Sequence, residues 1–172
     1  YPSLELSYSW NKEIAEVTIK QFQKAEKKGD DLLFKLPLKM EFYFSRGSEK
    51  FSIEIKSKEE KFCFKLNRKP LYFRLDPDYE CPVKKVKLDI SQSMLHEQLK
   101  RDSDPIGRIE AAQSLATKTA NVKILSQCLK SETDWGVAHR IAQALGKISG
   151  DAARDALIKA LNHHKQAKIR WG

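Results

Sequence analysis

The sequence predicts a chain of two parts, in which antiparallel β-structure is followed by α-helices. Hydrophobic and polar residues alternate through the first 90 residues, as they do from Leu36 to Phe44. This alternation changes to a helical period near Ser91, and two segments of the last third are similar to each other. A period of two indicates strands with one buried face, whereas a period near 3.6 indicates helices. We therefore place a β-sandwich domain at residues 1–88 and a helical domain at residues 91–172.

Short alternating runs fill the first part, and turn signals such as Arg46-Gly47-Ser48 and Asp76-Pro77-Asp78 separate them. Six or seven strands at about ten-residue spacing are typical of an antiparallel β-sandwich. The alternating aromatic residues are expected to form the core of this sandwich rather than a ligand-binding or base-stacking platform. They are Phe42, Phe44, Phe62, Phe64 and Phe73.

The second part contains an internal repeat. Asp104–Leu115 reads DPIGRIEAAQSL, and about thirty residues later Asp134–Leu145 reads DWGVAHRIAQAL. The helices that follow each segment also match, at a spacing nearer 32, so that Ile124 corresponds to Ala156. Such a period, built from two short amphipathic helices, is typical of helical repeats of the HEAT type. After a first helix capped by Ser91, helices are predicted at about 104–117, 120–131, 134–148 and 151–163.

The two ends of the sequence lead us to expect a segment of a longer protein. The chain opens on Tyr1 without a Met, and a third copy of the repeat begins in its last residues, QAKIRWG. Inner repeats of a solenoid cover both faces against their neighbours. An uncovered apolar end, open to self-association, is therefore predicted at residues 151–172, where it would include Leu157, Leu161, Ile169 and Trp171.

Composition and charge exclude some classes of function. Charged residues make up 32% of the 172 residues and hydrophobic residues 41%, and no apolar run is long enough to cross a membrane. The formal net charge is +9, with 19 basic and 15 acidic residues up to residue 90 and 13 against 8 beyond it. Nucleic-acid binders usually concentrate such charge. The nearest approaches to a cluster are Lys24-Lys27-Lys28 and the stretch from His163 to Arg170, which we interpret as solvated loops.

The cysteine content favours a cytoplasmic protein. Cys63, Cys81 and Cys128 are odd in number, widely spaced and without CxxC spacing, as expected of free thiols in a reducing compartment. Cys63 lies on a strand between two phenylalanines. It would need a histidine nearby in space to act as a nucleophile, so an inert thiol is the favoured interpretation.

The histidines do not form a recognisable metal site. A helical zinc site needs H-E-x-x-H, because a separation of four places both imidazoles on one helix face. The stretch that starts with His96-Glu97 has Lys100 at the fourth position, so we interpret His96 as an exposed helix residue. The neighbouring His163 and His164 would point to different faces, and His139 stands alone.

Other catalytic constellations are also missing from the sequence. The carboxylate pairs Asp30-Asp31 and Glu59-Glu60 fall in or beside turns, where no enclosing cleft is indicated. No G-x-S-x-G motif is present, and seven glycines do not make a nucleotide-binding loop. We therefore predict no catalytic, cofactor-binding or metal-binding residue in this chain.

Several segments, taken in order, resemble one family. YPSLELSYSW followed by VTIKQFQK, then LFKLPLKMEFYF, EEKFCFKL and KPLYFRLDPDYECPVKKVKLDIS, resemble the sandwich domain of aminopeptidase-N-like zinc peptidases. LHEQLKRDSDPIGRIEAAQSL resembles the start of that family's helical C-terminal domain. The resemblance covers about residues 1–116 closely and the remainder as generic HEAT-like repeats. Cys81 departs from it, since a larger hydrophobic residue is expected there.

The resemblance implies a longer protein that removes N-terminal residues from peptides. In this family two histidines of H-E-x-x-H and a downstream glutamate hold zinc, and a tyrosine assists. All of them lie upstream of the matching segment, so none corresponds to a residue of this chain. The expected partners are an upstream catalytic domain of the same protein and its peptide substrate, with no membrane or nucleic acid. In the family, the helical domain closes over the active site and limits substrate size.

Two other interpretations remain open at this stage. The chain could belong to a non-enzymatic interaction scaffold, because relatives of these peptidases have lost catalysis and serve in the transcription machinery, and HEAT repeats commonly bind proteins. A nucleic-acid-binding module is the weakest alternative, since charge alone favours it. An intact H-E-x-x-H upstream would distinguish the enzyme from the scaffold.

Overall fold

The structure, a computed structural model, describes residues 1–23 and 32–163. It divides into two compact units, Tyr1–Met94 and Leu95–Gly172. In the described residues the first unit contains β-strands and the second contains α-helices, which confirms the fold class predicted from the sequence. The predictions made for Lys24-Lys27-Lys28, Asp30-Asp31, His164 and residues 165–172 lie outside the described residues.

Two sheets form the first unit. One has the strand order β5-β2-β1-β7 and the other the order β4-β3-β6. From residue 36 to residue 75 the chain contains strands and connections but no helix. The bounds are β1 Ser3–Asn11, β2 Ile14–Gln21, β3 Leu36–Tyr43, β4 Ser48–Ile55, β5 Glu59–Lys65, β6 Tyr72–Leu75 and β7 Lys85–Asp89.

One strand departs from the expected antiparallel pattern. β7 pairs with β1 in parallel, in a register that places Ser3 opposite Lys85 and Ser7 opposite Asp89. The other strand pairs are antiparallel, as predicted, and this edge pair is an exception. Its physical reason is that β6 belongs to one sheet and β7 to the other, so that the connection between them changes sheets before β7 joins the edge of β1. Alternation reports which face of a strand is buried, but not the direction in which the strand runs.

Aromatic side chains join the two sheets of the sandwich. The ring of Phe42, on β3, lies 4.9 Å from the ring of Phe64, on β5, and 5.9 Å from those of Phe51 and Phe73. Edge-to-face and tilted pairs of this kind stabilise a core beyond the burial of their area. The five phenylalanines predicted for the core all belong to it, with Phe62 partly buried and the other four buried, so this prediction is confirmed.

Buried polar side chains hold the connections of the sandwich. The side-chain amide of Gln21 donates to the carbonyl oxygens of Phe34 at 2.8 Å and Ser57 at 3.2 Å, and its oxygen accepts from the Phe34 amide. The buried carboxylate of Asp76 accepts from the backbone amides of Glu80 at 3.0 Å and Cys81 at 2.9 Å. These bonds satisfy backbone groups that no strand pairing reaches.

The second unit begins within the first of the five α-helices that the described residues form. Met94, in the first turn of that helix, is buried in the sandwich core and is the last residue of the first unit. None of the described helices has the length and apolar character that crossing a bilayer requires. The bounds are α1 Gln92–Arg101, α2 Pro105–Leu115, α3 Val122–Ser131, α4 Trp135–Ile148 and α5 Asp151–His163, with a 3₁₀ turn at Thr119–Asn121 before α3.

The internal repeat of the sequence corresponds to matching N-terminal caps on α2 and α4. Asp104 caps α2 by accepting from the Ile106 amide at 3.0 Å, and Asp134 caps α4 by accepting from the Val137 amide at 2.9 Å. An aspartate at this position satisfies an amide that has no partner inside the helix. Helices α2 and α4 then pack against each other through small and aliphatic residues, which include Ala111, Leu115, Ala138, Ile141 and Leu145.

A half-buried ion pair ties the loops between these helices. The guanidinium of Arg108, on α2, contacts both carboxylate oxygens of Glu132 at 3.0 and 3.2 Å. It also donates to the carbonyl oxygens of Asp102 and Ser103, before α2, while Glu132 accepts from the amides of Thr133 and Asp134, before α4. One pair of side chains therefore fixes both connections, and bidentate geometry makes it stronger than a surface pair.

Two neighbouring residues of β5 allow a test of which face of this strand is buried. Phe64 is buried and Cys63 is exposed. We expect Phe64→Ala to lower the free energy of unfolding of the sandwich by about 3–5 kcal/mol, because it leaves a cavity in the core. Cys63→Ala should change it by less than about 0.5 kcal/mol. Amide hydrogen exchange on β2 and β5 measures both values, and equal effects of the two variants would contradict the assigned facing.

Arg108 and Arg154 test the ion pair of the helical unit. We expect Arg108→Ala to destabilise this unit by about 2–3 kcal/mol, since the side chains of Arg108 and Glu132 are only 14% and 9% exposed. Arg154→Ala should cost less than about 0.5 kcal/mol, because its pair with Asp151 is exposed to solvent. Hydrogen exchange on α2 and α4 reports the difference. A loss of the same size in both variants would mean that the Arg108 pair does not hold the loops.

Candidate functional site

The described residues bring no metal-binding group together. Among residues 1–23 and 32–163, no set of three or more histidine, cysteine, aspartate or glutamate side chains could hold a metal ion. His139 contacts Gln143 one turn along its own helix, at 3.0 Å. The side chain of His163 and the whole of His164 lie outside the description.

His96 has a structural position rather than the exposed one expected from the sequence. Its Nε2 lies 3.1 Å from Oδ1 of the buried Asn121, whose amide nitrogen donates to the Leu115 carbonyl at 2.8 Å. Since Asn121 Oδ1 can only accept, Nε2 carries the proton and donates it to this bond. His96 therefore connects α1 to the 3₁₀ turn before α3, and its Nε2 has no lone pair free for a metal.

Burial raises the pKa values of one tyrosine and two cysteines in the described residues. Burial raises the pKa of Tyr8, in the sandwich, to about 12. Burial also raises the pKa of Cys128, and of Cys81, to which the neighbouring Asp76 and Glu80 add. A thiol that is harder to ionise is a weaker nucleophile. These shifts stabilise neutral side chains and do not prepare an acid, a base or a nucleophile for catalysis near neutral pH.

The carboxylate pair of the β4–β5 turn has a structural role. Glu60 accepts from the Lys56 amide at 2.9 Å and from the Ser57 hydroxyl at 3.1 Å, which shapes the turn. Glu59 forms an exposed ion pair with Lys20 at 3.5 Å. The two carboxylates thus have different partners and do not face a common cleft.

A groove between α3 and α5 is the candidate site that the helical unit offers. It has a volume of about 550 Å³ and runs along the second helices of the two repeats. Two of the four α5 residues that line it, Ala152 and Ala156, are small. Its polar rim combines hydroxyl, amide and charged groups: Thr119, Lys123, Ser126, Gln127, Asp155 and Lys159.

The chemistry of this groove suits an extended peptide better than a reaction. A hydroxyl, an amide and both signs of charge can pair with backbone and side-chain groups of a bound chain, whereas general acid–base catalysis needs an enclosed group of tuned pKa. Sequence reasoning missed the groove. One available signal was that Ala156 in the second repeat matches Ile124 in the first. The smaller side chain of Ala156 leaves a wider groove than isoleucine would.

Comparisons with known proteins follow the two-unit organisation. Residues 93–172 match the family model described as HEAT repeats. A HEAT-like repeat is present. No curated protein matches the chain. Among solved structures, the crystal structure of Legionella pneumophila aminopeptidase A in complex with aspartic acid is similar over 94% of this chain, with a TM-score of 0.54 and 13% identity.

This structural likeness establishes similarity of fold across both units. The chain covers 21% of the length of the Legionella chain, so most of that protein has no counterpart here. The 94% of this chain that is covered includes parts of both units. Among the described residues, no group of side chains that could hold zinc accompanies this similarity of fold.

The two helix histidines provide a test of their roles. We expect His96→Ala to lower the free energy of unfolding of the helical unit by about 1–3 kcal/mol, because it leaves the buried Asn121 without its donor. His139→Ala should change it by less than about 0.5 kcal/mol, since its contact lies within one helix. Zinc content, measured by atomic absorption, should not change. One tightly held zinc per chain, lost in His96→Ala, would contradict the structural role.

Proposed function

We propose that this chain is a non-catalytic C-terminal part of a zinc-dependent aminopeptidase. The observation that carries the proposal is the structural likeness to an aminopeptidase across 94% of the chain. In this chain a sandwich leads directly into HEAT-like repeats. This order agrees with the segments that resemble the zinc aminopeptidase family. Since fold alone does not determine function, the proposal also needs the chemistry of the longer protein.

In this proposal the described residues support catalysis without taking part in it. Zinc and its ligands belong to an upstream catalytic domain that hydrolyses N-terminal residues from peptides. The sandwich supports that domain, and the helical repeats cap its active site and limit the size of the peptides that enter. We also propose a cytoplasmic location, which the free thiols of Cys63, Cys81 and Cys128 favour.

The test uses the longer protein, including the residues that precede Tyr1. We expect it to bind one zinc per chain and to hydrolyse aminoacyl amides. Removal of residues 95–172 should raise kcat/KM for long peptides relative to dipeptides, because the cap would no longer exclude them. Zinc content before and after the truncation is the control for an intact catalytic domain. A longer protein with no zinc and no hydrolysis would contradict the proposal.

A non-enzymatic interaction scaffold is the second candidate function. The groove between α3 and α5 favours it, because its polar rim and the small residues of α5 suit a bound peptide chain. The same experiment separates the two functions. An inactive, zinc-free longer protein that binds a peptide partner, and loses it when Ala156→Ile narrows the groove, would support the scaffold.

A further inference from the structure

One end of the sandwich gathers basic residues that are far apart in the sequence. Three connections meet there, at residues 11–13, 44–47 and 66–71. The amide of Leu66 donates to the carbonyl of Glu13 at 2.8 Å, and Arg68 donates to the carbonyl of Arg46 at 2.8 Å, which joins all three. We call this surface the basic end. Its exposed cations are Lys12, Arg46, Lys65, Arg68 and Lys69.

The cations of the basic end have no carboxylate partner among the residues that the structure describes. Several other lysines of the sandwich are paired: Lys39 with Glu80 at 2.5 Å, Lys50 with Asp78 at 3.0 Å and Lys61 with Glu16 at 3.0 Å. Glu13, although it lies in the same end, forms no ion pair with any described residue. Unpaired cations on adjacent loops produce a positive field that attracts an anionic surface.

Two contacts within the basic end fix the side chain of Arg68. Its guanidinium carbon lies 4.8 Å from the centre of the Phe44 ring, and one N–H group is fixed by the Arg46 carbonyl. Arginine has five N–H donors in a rigid fork, so several remain for an external acceptor. Because the side chain is already ordered, binding loses less conformational freedom than it would with a mobile lysine. The fork geometry also matches a carboxylate.

The hairpin turn of the basic end keeps a lysine in an unfavourable conformation. Lys12 and Glu13 connect β1 to β2 with φ angles of 42° and 68°, in the left-handed region. Asparagine and glycine are the residues that such turns favour. A two-residue hairpin of this type requires positive φ at both central residues, so the turn itself explains the conformation. The turn places the exposed Lys12 at the tip of the hairpin.

The composition of the three connections favours a protein partner over nucleic acid or lipid. Sequence-tolerant binding of single strands uses exposed aromatic rings for stacking, but Phe44 is buried and covered by Arg68. Membrane surfaces are bound by exposed apolar groups together with charge. Beside these cations the exposed large hydrophobic residue is Ile14, which pairs with Lys65 across the sheet and is 36% exposed. One such side chain does not form the apolar face that membrane binding requires.

We propose that the basic end is a docking surface for an acidic protein segment, whose carboxylates pair with Arg68 and with the surrounding cations. This inference goes beyond the proposed function, because it concerns a surface of the sandwich that needs neither zinc nor the helical groove. The site is formed by side chains from three loops, so its specificity depends on the folded sandwich.

The experiment measures binding of a fluorescein-labelled peptide of alternating aspartate and glutamate to the full 172-residue chain. The test variant is Lys12→Gln/Arg46→Gln/Lys69→Gln, which leaves the packed Arg68 in place. The control is Lys118→Gln/Lys130→Gln/Lys147→Gln, three exposed lysines of the helical unit that form no ion pair with a described residue. Each triple substitution removes three positive charges from the net +9, so both variants carry +6. Circular dichroism checks that both remain folded.

We expect the test variant to raise the dissociation constant by about tenfold and the control by less than about threefold, with binding that weakens as salt is added. Equal weakening in both variants would overturn the proposal, because the affinity would then reflect net charge alone. Absence of peptide binding at low salt would also overturn it. Tighter binding of single-stranded DNA of the same length, or of vesicles containing phosphatidylserine, would assign the surface to a different class of partner and overturn it too.

Discussion

Both units depend on hydrogen bonds between buried polar side chains and the backbone of the loops that connect strands and helices. Gln21 holds two connections of the sandwich and Asp76 shapes the one that leads to β7. In the helical unit Gln98 donates to the Gly107 carbonyl at 3.0 Å, and Asn121 donates to the Leu115 carbonyl. A buried polar group without a partner costs more free energy than a paired one returns. These residues therefore specify the connections between elements that hydrophobic packing alone would leave open.

This use of polar groups limits what the chain can do chemically. The side chains that a catalytic site would need, such as His96, Cys81 and Asp76, are engaged in bonds that position loops and helices. Burial moves the thiol pKa values of Cys81 and Cys128 upward, away from reactivity. Two surface features of the described residues are not used in this way, the groove of the helical unit and the basic end of the sandwich.

The sequence predicted whatever depends on local periodicity, and missed whatever depends on distant pairing. The order of β-structure and helices, the buried phenylalanines and the capping aspartates Asp104 and Asp134 follow from patterns a few residues long. The parallel direction of β7 does not, because alternation is the same in either direction. The basic end combines residues as far apart as Lys12 and Lys69, so their charges seemed spread along the chain. The groove combines residues of two helices, among them the small Ala152 and Ala156, so it appears only when the helices are packed.

The parallel pairing of β1 with β7 also determines the order in which the first unit can be completed during synthesis. Residues that pair across these two strands are about 82 residues apart, as in Glu5 and Lys87. The ribosome releases the chain from the N-terminus at roughly 5–20 residues per second. For several seconds, therefore, the outer edge of β1 has unpaired amides and carbonyls that another strand could occupy. The edge of β1 is covered only when β7 emerges, immediately before α1, and β7 is then the edge strand of the sheet.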